Sequence, residues 1–172
     1  MPDISSLRRS IDKAAENLVQ LLVEKGKKIA CAESCTGGLV SAAITSVSGS
    51  SAAMDVSICT YANSAKMRYL GVPAETLDKY GAVSEQTALA MADGIRKAAE
   101  SDIGISVTGI AGPTGGTESK PVGTVYVGIS TKDSCEARLV FTDPSSAGNE
   151  NAREYIRKST VLAVLEWAAQ KI

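Results

Sequence analysis

The stretch Lys28-Ile29-Ala30-Cys31-Ala32-Glu33-Ser34-Cys35-Thr36-Gly37-Gly38-Leu39-Val40-Ser41-Ala42-Ala43-Ile44 constrains the fold more than any other part of this chain. An apolar run that reads as a buried strand gives way within a few residues to a pattern that reads as a helix, with paired glycines between them. A strand turning directly into a helix is the repeating step of α/β architecture, in which helices cover a sheet. The same step sets a serine and a cysteine on a tight turn beside backbone N–H groups, which can hold a developing oxyanion or a phosphate. The chain contains no histidine. A nucleophile on this turn must therefore give its proton to something other than imidazole.

Pattern and punctuation extend the reading along the chain. Leu7, Ile11, Ala14, Leu18, Leu21 and Leu22 recur at helical spacing and predict a helix over 5–26 ended by Gly26. Strands are expected at about 27–33, 55–61 and 102–108. Helices are expected at about 37–46, at 64–70 capped by Asn63 and ended by Gly71, after Pro73, and from Ser84 to about 101. Ser84-Glu85-Gln86-Thr87 resembles a capping box. A glycine-rich loop spans Gly109 to Pro121. Two β runs over about 122–130 and 135–142, joined by Lys132-Asp133-Ser134, read as an antiparallel hairpin, and a last helix covers about 148–171. Alternating elements followed by a hairpin predict a mixed, mostly parallel sheet between helical layers.

With 172 residues and no clear internal boundary, a single domain over 1–172 is expected. Lys and Arg number 18 against 19 Asp and Glu, and aromatics make up 4% of the chain. Neither a basic footprint nor a stacking platform for nucleic acid is evident. The polar start Met1-Pro2-Asp3-Ile4-Ser5 does not read as a signal peptide, and no apolar run is long enough to span a membrane. Cys31, Cys35, Cys59 and Cys135 do not have the spacing of a zinc site. They read as reduced, mostly buried thiols of a cytoplasmic protein, and neither a metal nor a cofactor is expected.

Six ordered blocks carry a family resemblance. They are Ala32–Gly38, Gly49-Ser50-Ser51, Thr60–Lys66 with Leu70-Gly71-Val72, Gly81–Ser84, Thr108–Gly116 and Lys120–Val125. Together they resemble the CinA C-terminal family, whose free-standing members include nicotinamide mononucleotide amidases. The resemblance implies a three-layer α/β/α fold with a five-stranded mixed sheet, commonly in a homodimer. It implies hydrolysis of the carboxamide of a small-molecule nucleotide, nicotinamide mononucleotide, to nicotinic acid mononucleotide and ammonia. It also implies a catalytic serine and lysine with a tyrosine nearby, at Ser34, Lys66 and Tyr61 here. Longer family members carry an extra N-terminal domain associated with pyrophosphatase activity, which is not assigned to this chain. The family usually has Gly-Asp-Arg before its last helix. This chain has Asn151-Ala152-Arg153, so the arginine is present and the acid is not.

The chemistry asks for a nucleophile, a base, an acid for the leaving nitrogen and oxyanion donors. Ser34 sits where a nucleophile is exposed, although serine there also fits a helix N-cap. Cys35 is the rival nucleophile, or a small core filler. Lys66 serves as base only if burial keeps it neutral. Tyr61 can relay or orient the proton. Glu33 can bind ligand or orient Lys66, or simply compensate the helix dipole. The N–H groups of Cys35, Thr36 and Gly37 are the expected oxyanion donors. Thr108, Gly109, Ala111, Gly112 and Gly115 lie at the end of the third expected strand, where open α/β sheets bind ligands. Arg153 can grip a phosphate. A nucleotide-binding regulatory module without turnover remains the alternative reading.

Overall fold

The computed structural model describes residues 4–148 and 151–172. Helix α1 (Ile4–Glu24) leads through Gly26, in the left-handed conformation, to β1 (Ile29–Glu33) and α2 (Leu39–Thr45). Then come β2 (Met54–Cys59), α3 (Asn63–Leu70), α4 (Ala74–Tyr80) and α5 (Glu85–Ala98). Strand β3 (Ile103–Gly109), the hairpin β4 (Thr124–Ser130) and β5 (Cys135–Phe141), and α6 (Ala152–Gln170) complete the chain.

The strands form one sheet in the order β2-β1-β3-β4-β5. β1 pairs in parallel with β2 and β3, and the β3–β4 and β4–β5 pairs are antiparallel. Only β4 runs against the others, so the sheet is mixed and mostly parallel, as the pattern predicts. The C-terminal ends of β1, β2 and β3 share one edge, where Glu33, Cys59 and Gly109 lie.

Period-two alternation divides β1 between two layers. Ile29 and Cys31 join the core shared with α1, α2 and α6, which includes Leu18, Leu22, Ile156 and Leu165. Ala30 and Ala32 face the other way, against Leu70, Leu77, Met91 and Ile95 of α3, α4 and α5. That second layer is close-packed because it is built from small residues. A Cβ at Gly104 would stand 2.2 Å from the Ala92 carbonyl oxygen, and one at Gly128 would stand 2.6 Å from that of Ala88. Ser106 fastens the same contact by donating its hydroxyl to the Ala88 carbonyl at 2.6 Å.

Some helix ends differ from expectation. Ala62, not Asn63, is the N-cap of α3, and no side chain caps that end. Ser84 does cap α5, accepting from the Thr87 N–H at 3.2 Å. Asn151 caps α6, accepting from the Glu154 N–H, so the last helix begins at Ala152 rather than 148. Residues 149–150 of that expected helix, like the polar start at 1–3, lie outside the described residues. Pro144–Ala147 forms a short 3-10 turn ahead of it.

Candidate active site

Lys66 is the largest fully buried side chain among the described residues and is only 1% exposed. Its aliphatic stem lies on α3, and its Nζ sits at the sheet edge with three oxygens around it. The Thr60 carbonyl is at 2.7 Å, the Tyr61 carbonyl at 3.2 Å and Ser34 Oγ at 3.2 Å. Burial pulls its pKa below the ordinary lysine value of 10.5, outweighing nearby Cys35, which acts in the opposite direction. A neutral amine has two N–H groups and one lone pair. With the two carbonyls accepting those N–H groups, the lone pair is left for the Ser34 hydroxyl. That arrangement can take a proton from Ser34 and return it.

The turn holding Ser34 is fastened by Glu33. This carboxylate is 1% exposed and both its oxygens are engaged. One accepts from the N–H groups of Gly38 and Val40, at 3.0 and 3.1 Å, and the other from the N–H and hydroxyl of Ser41, at 2.9 and 3.0 Å. Glu33 thus supplies the negative charge at the start of α2, the dipole-compensating possibility that its sequence position leaves open. The first amides of α2 are satisfied, with Leu39 N–H donating to the Thr36 carbonyl. The Gly37 N–H donates to the Ser34 carbonyl at 3.0 Å. Of the three expected oxyanion donors, only the N–H groups of Cys35 and Thr36 lack an oxygen acceptor among the described residues.

Of the four cysteines expected to be mostly buried, only Cys31 and Cys35 are; Cys59 and Cys135 lie on the two edge strands, β2 and β5, and are exposed. The Cys35 thiol is free. Burial pushes it up to about 12, outweighing its own backbone N–H and nearby Arg157. It is a poor thiolate at neutral pH.

Beside the serine turn lies a cleft of about 270 Å³ lined by Cys35, Tyr61, Gly109, Ile110, Ala111, Gly112, Thr114, Gly115 and Arg153. Most of the residues expected to contact ligand meet there. Gly112 and Gly115 have φ of +75° and +89°, conformations that glycine adopts freely. Arg153, in the first turn of α6, donates to the Gly112 carbonyl and, at 3.4 Å, to the Tyr61 hydroxyl. Tyr61 is 64% exposed, and its ring reaches toward Arg153 while its carbonyl faces Lys66. Thr108 lies apart from this cleft, with its hydroxyl buried and donated to the Ala82 carbonyl at 2.7 Å.

Sequence reasoning missed Arg157. One turn beyond Arg153, it donates from Nε to the Cys35 carbonyl at 3.1 Å and from Nη2 to the Thr36 carbonyl at 2.7 Å. The signal was the i, i+4 spacing of two arginines on one helix, which puts both on one face. Among the described residues no group of three or more Cys, Asp or Glu side chains is placed to hold a metal ion, and no helix is long and apolar enough to cross a membrane.

Fold and site define a three-layer α/β/α protein whose sheet edge presents a serine beside a buried lysine. The family model described as the CinA C-terminal domain matches residues 11–172, and the chain belongs to that family. A relative from Acetivibrio thermocellus, named as competence-damage inducible, is 52% identical over 143 residues, which cover 83% of this chain and 33% of that protein. A CinA-like protein of Endomicrobium trichonymphae is 44% identical over 162 residues, covering 94% and 36%. The chain thus spans about a third of the length of these curated relatives. Among solved structures, the competence/damage inducible protein CihA of Agrobacterium tumefaciens is similar with a TM-score of 0.85 and 38% identity, over 92% of this chain and 93% of that one. A CinA superfamily protein of Escherichia coli is similar with a TM-score of 0.86 and 28% identity, over 94% and 90%.

Proposed function

We propose that this chain is an amidohydrolase that converts nicotinamide mononucleotide to nicotinic acid mononucleotide and ammonia, in pyridine nucleotide salvage. The observation that carries the reading is the 3.2 Å approach of Lys66 Nζ to Ser34 Oγ at a buried point beside an open cleft. The choice of nucleotide rests on the resemblance of the six sequence blocks to amidases of the family.

Neutral Lys66 takes the Ser34 proton as Oγ attacks the carboxamide carbon. The carbonyl oxygen becomes an oxyanion held by backbone N–H groups of the turn. As the tetrahedral intermediate collapses, the Lys66 ammonium gives its proton to the leaving nitrogen and ammonia departs. Lys66, neutral again, takes a proton from water, whose oxygen attacks the acyl–serine ester. Collapse expels Ser34 Oγ, which regains its proton from Lys66, and the carboxylate product leaves. Arg153 and the glycine-rich loop hold the nucleotide phosphate and ribose. No step requires a metal or an organic cofactor. The resemblance further supports a homodimer, and the four free cysteines agree with a reducing, cytoplasmic setting.

The test is ammonia release from the mononucleotide by purified protein in the presence of a chelator, with Ser34→Ala alongside. Turnover by the wild type and none by Ser34→Ala is the expected result. Tight nucleotide binding in calorimetry with no product would favour a non-catalytic module.

A further inference from the structure

We infer that Arg157 is a positioning residue for the oxyanion site: it holds the serine turn so that the Cys35 and Thr36 N–H groups face the reacting oxygen. The inference rests on the amidase reading and adds a residue to it.

The argument starts from the planar trans peptide, in which the C=O of one residue and the N–H of the next point in opposite directions. The Cys35 carbonyl and the Thr36 N–H belong to one such plane. Arg157 Nε binds that carbonyl at 3.1 Å, which fixes the direction of the Thr36 N–H on the far side. The plane before it is fixed by the turn itself, since the Ser34 carbonyl accepts from Gly37 and thereby sets the direction of the Cys35 N–H. The plane after it is fixed again by Arg157, through Nη2 to the Thr36 carbonyl at 2.7 Å. One guanidinium therefore draws toward α6 two carbonyl dipoles that would repel an oxyanion.

The fork needs close access. A Cβ at Gly37 would stand 3.3 Å from Arg157 Nη2, and Gly37 has φ of +59°, so this position suits glycine on both counts. On the other side the Thr36 donors are unspent and the Cys35 N–H meets only its own thiol. Thr36 is fully shielded, and neither its N–H nor its Oγ1 has an acceptor among the described residues. Orphaned buried donors are rare in folded proteins, and those beside a nucleophile are the ones an anionic oxygen would satisfy. The amides at the start of α2 cannot take this role, because Glu33 and Thr36 already occupy them.

The experiment measures the rate at which a fluorophosphonate labels Ser34, read by mass spectrometry. The Oγ–P bond forms, the P–F bond breaks with loss of fluoride, the serine proton passes to Lys66, and the phosphoryl oxygen occupies the oxyanion site. Wild type, Arg157→Lys and Arg157→Ala are compared. Lysine keeps the charge but cannot span two carbonyls. The expected result is labelling about 10- to 100-fold slower in both variants, with a fall in kcat of similar size, little change in KM, and partial recovery of Arg157→Ala by added guanidinium ion. Equal labelling rates in wild type and Arg157→Lys would overturn the inference. So would a wild type that does not label at Ser34, or a loss that follows the unfolding midpoint and is not recovered by guanidinium. A wild type that labels normally but releases no ammonia from the mononucleotide counts against the amidase reading alone.

Discussion

Ser34 Oγ and Lys66 Nζ lie 3.2 Å apart, although 32 positions separate the two residues. The contact exists because β1 and β2 are parallel neighbours. Glu33 pairs with Cys59 at their C-terminal ends, and the Thr60 N–H donates to the Glu33 carbonyl at 2.9 Å. The serine turn and the start of α3 thus leave the sheet side by side.

This contact sets the pH dependence. Lys66 is active when neutral, and burial lowers its pKa below 10.5. Ammonia release should fall as pH drops through that lowered pKa and level off above it. Stability follows the same group. Between the folded and unfolded pKa values the unfolded chain binds more protons, so stability rises with pH across that window. Urea unfolding at several pH values should show this as stability that wild type gains over Lys66→Met as pH rises, a difference free of the opposite contribution that the raised Cys31 and Cys35 thiols make in both proteins. Lys66→Arg, always charged, should lose about 10²- to 10⁴-fold in kcat with the pH dependence gone. A Lys66→Arg enzyme with normal turnover would remove Lys66 as the base.

The thiol beside the nucleophile should be a bystander. With its pKa pushed up to about 12 by burial, Cys35 stays a thiol at pH 8. Iodoacetamide at that pH should modify the exposed Cys59 and Cys135 and spare Cys31 and Cys35 in the native protein. Cys35→Ala should retain most of its ammonia release. Rapid alkylation of Cys35, with loss of activity in step, would move the nucleophile to sulfur.

Glu33 should matter for folding more than for binding. Its four hydrogen bonds all come from α2 and the turn before it. Glu33→Gln would set an amide NH2 against inward-pointing donors. We expect a loss of about 2–4 kcal/mol in urea unfolding. Protein that remains folded should keep its KM. A variant of unchanged stability with a raised KM would return Glu33 to the ligand.

How far the sequence reveals this site depends on how local each feature is. The strand–turn–helix at Ile29–Thr45 and the hairpin at Thr124–Phe141 are legible because period and turn residues act over a few positions. The residues around Lys66 read more readily as the setting of a solvated surface lysine, and its burial is called for only by the base role that the family resemblance implies; its three oxygen partners become visible only once β1 and β2 are paired. Long-range commitments leave no local trace. Thr108 spends its hydroxyl on Ala82 and Arg157 spends its guanidinium on a turn more than 120 positions away. Ala62 displaced Asn63 as the cap of α3 because Lys66 and Ala65 both turn back to the Ala62 carbonyl, which fixes the helix start without a side chain.

Arg153 gives the last prediction, because it separates binding from chemistry on one helix. Its guanidinium meets the Gly112 carbonyl and the Tyr61 hydroxyl at the cleft, whereas Arg157 holds the Cys35 and Thr36 carbonyls. Two bonds leave most of its N–H donors for a phosphate. Arg153→Ala should raise KM for the mononucleotide about 10- to 100-fold with kcat nearly unchanged, since charged hydrogen bonds to a distant phosphate act in ground state and transition state alike. Tyr61→Phe should produce a smaller change in the same parameter, because its hydroxyl meets Arg153 while only its backbone carbonyl meets Lys66. Initial-rate kinetics on the mononucleotide and on the riboside, which lacks the phosphate, check both. The Arg153→Ala penalty should vanish on the riboside, and a penalty of equal size there would show that Arg153 supports the loop and does not bind the phosphate.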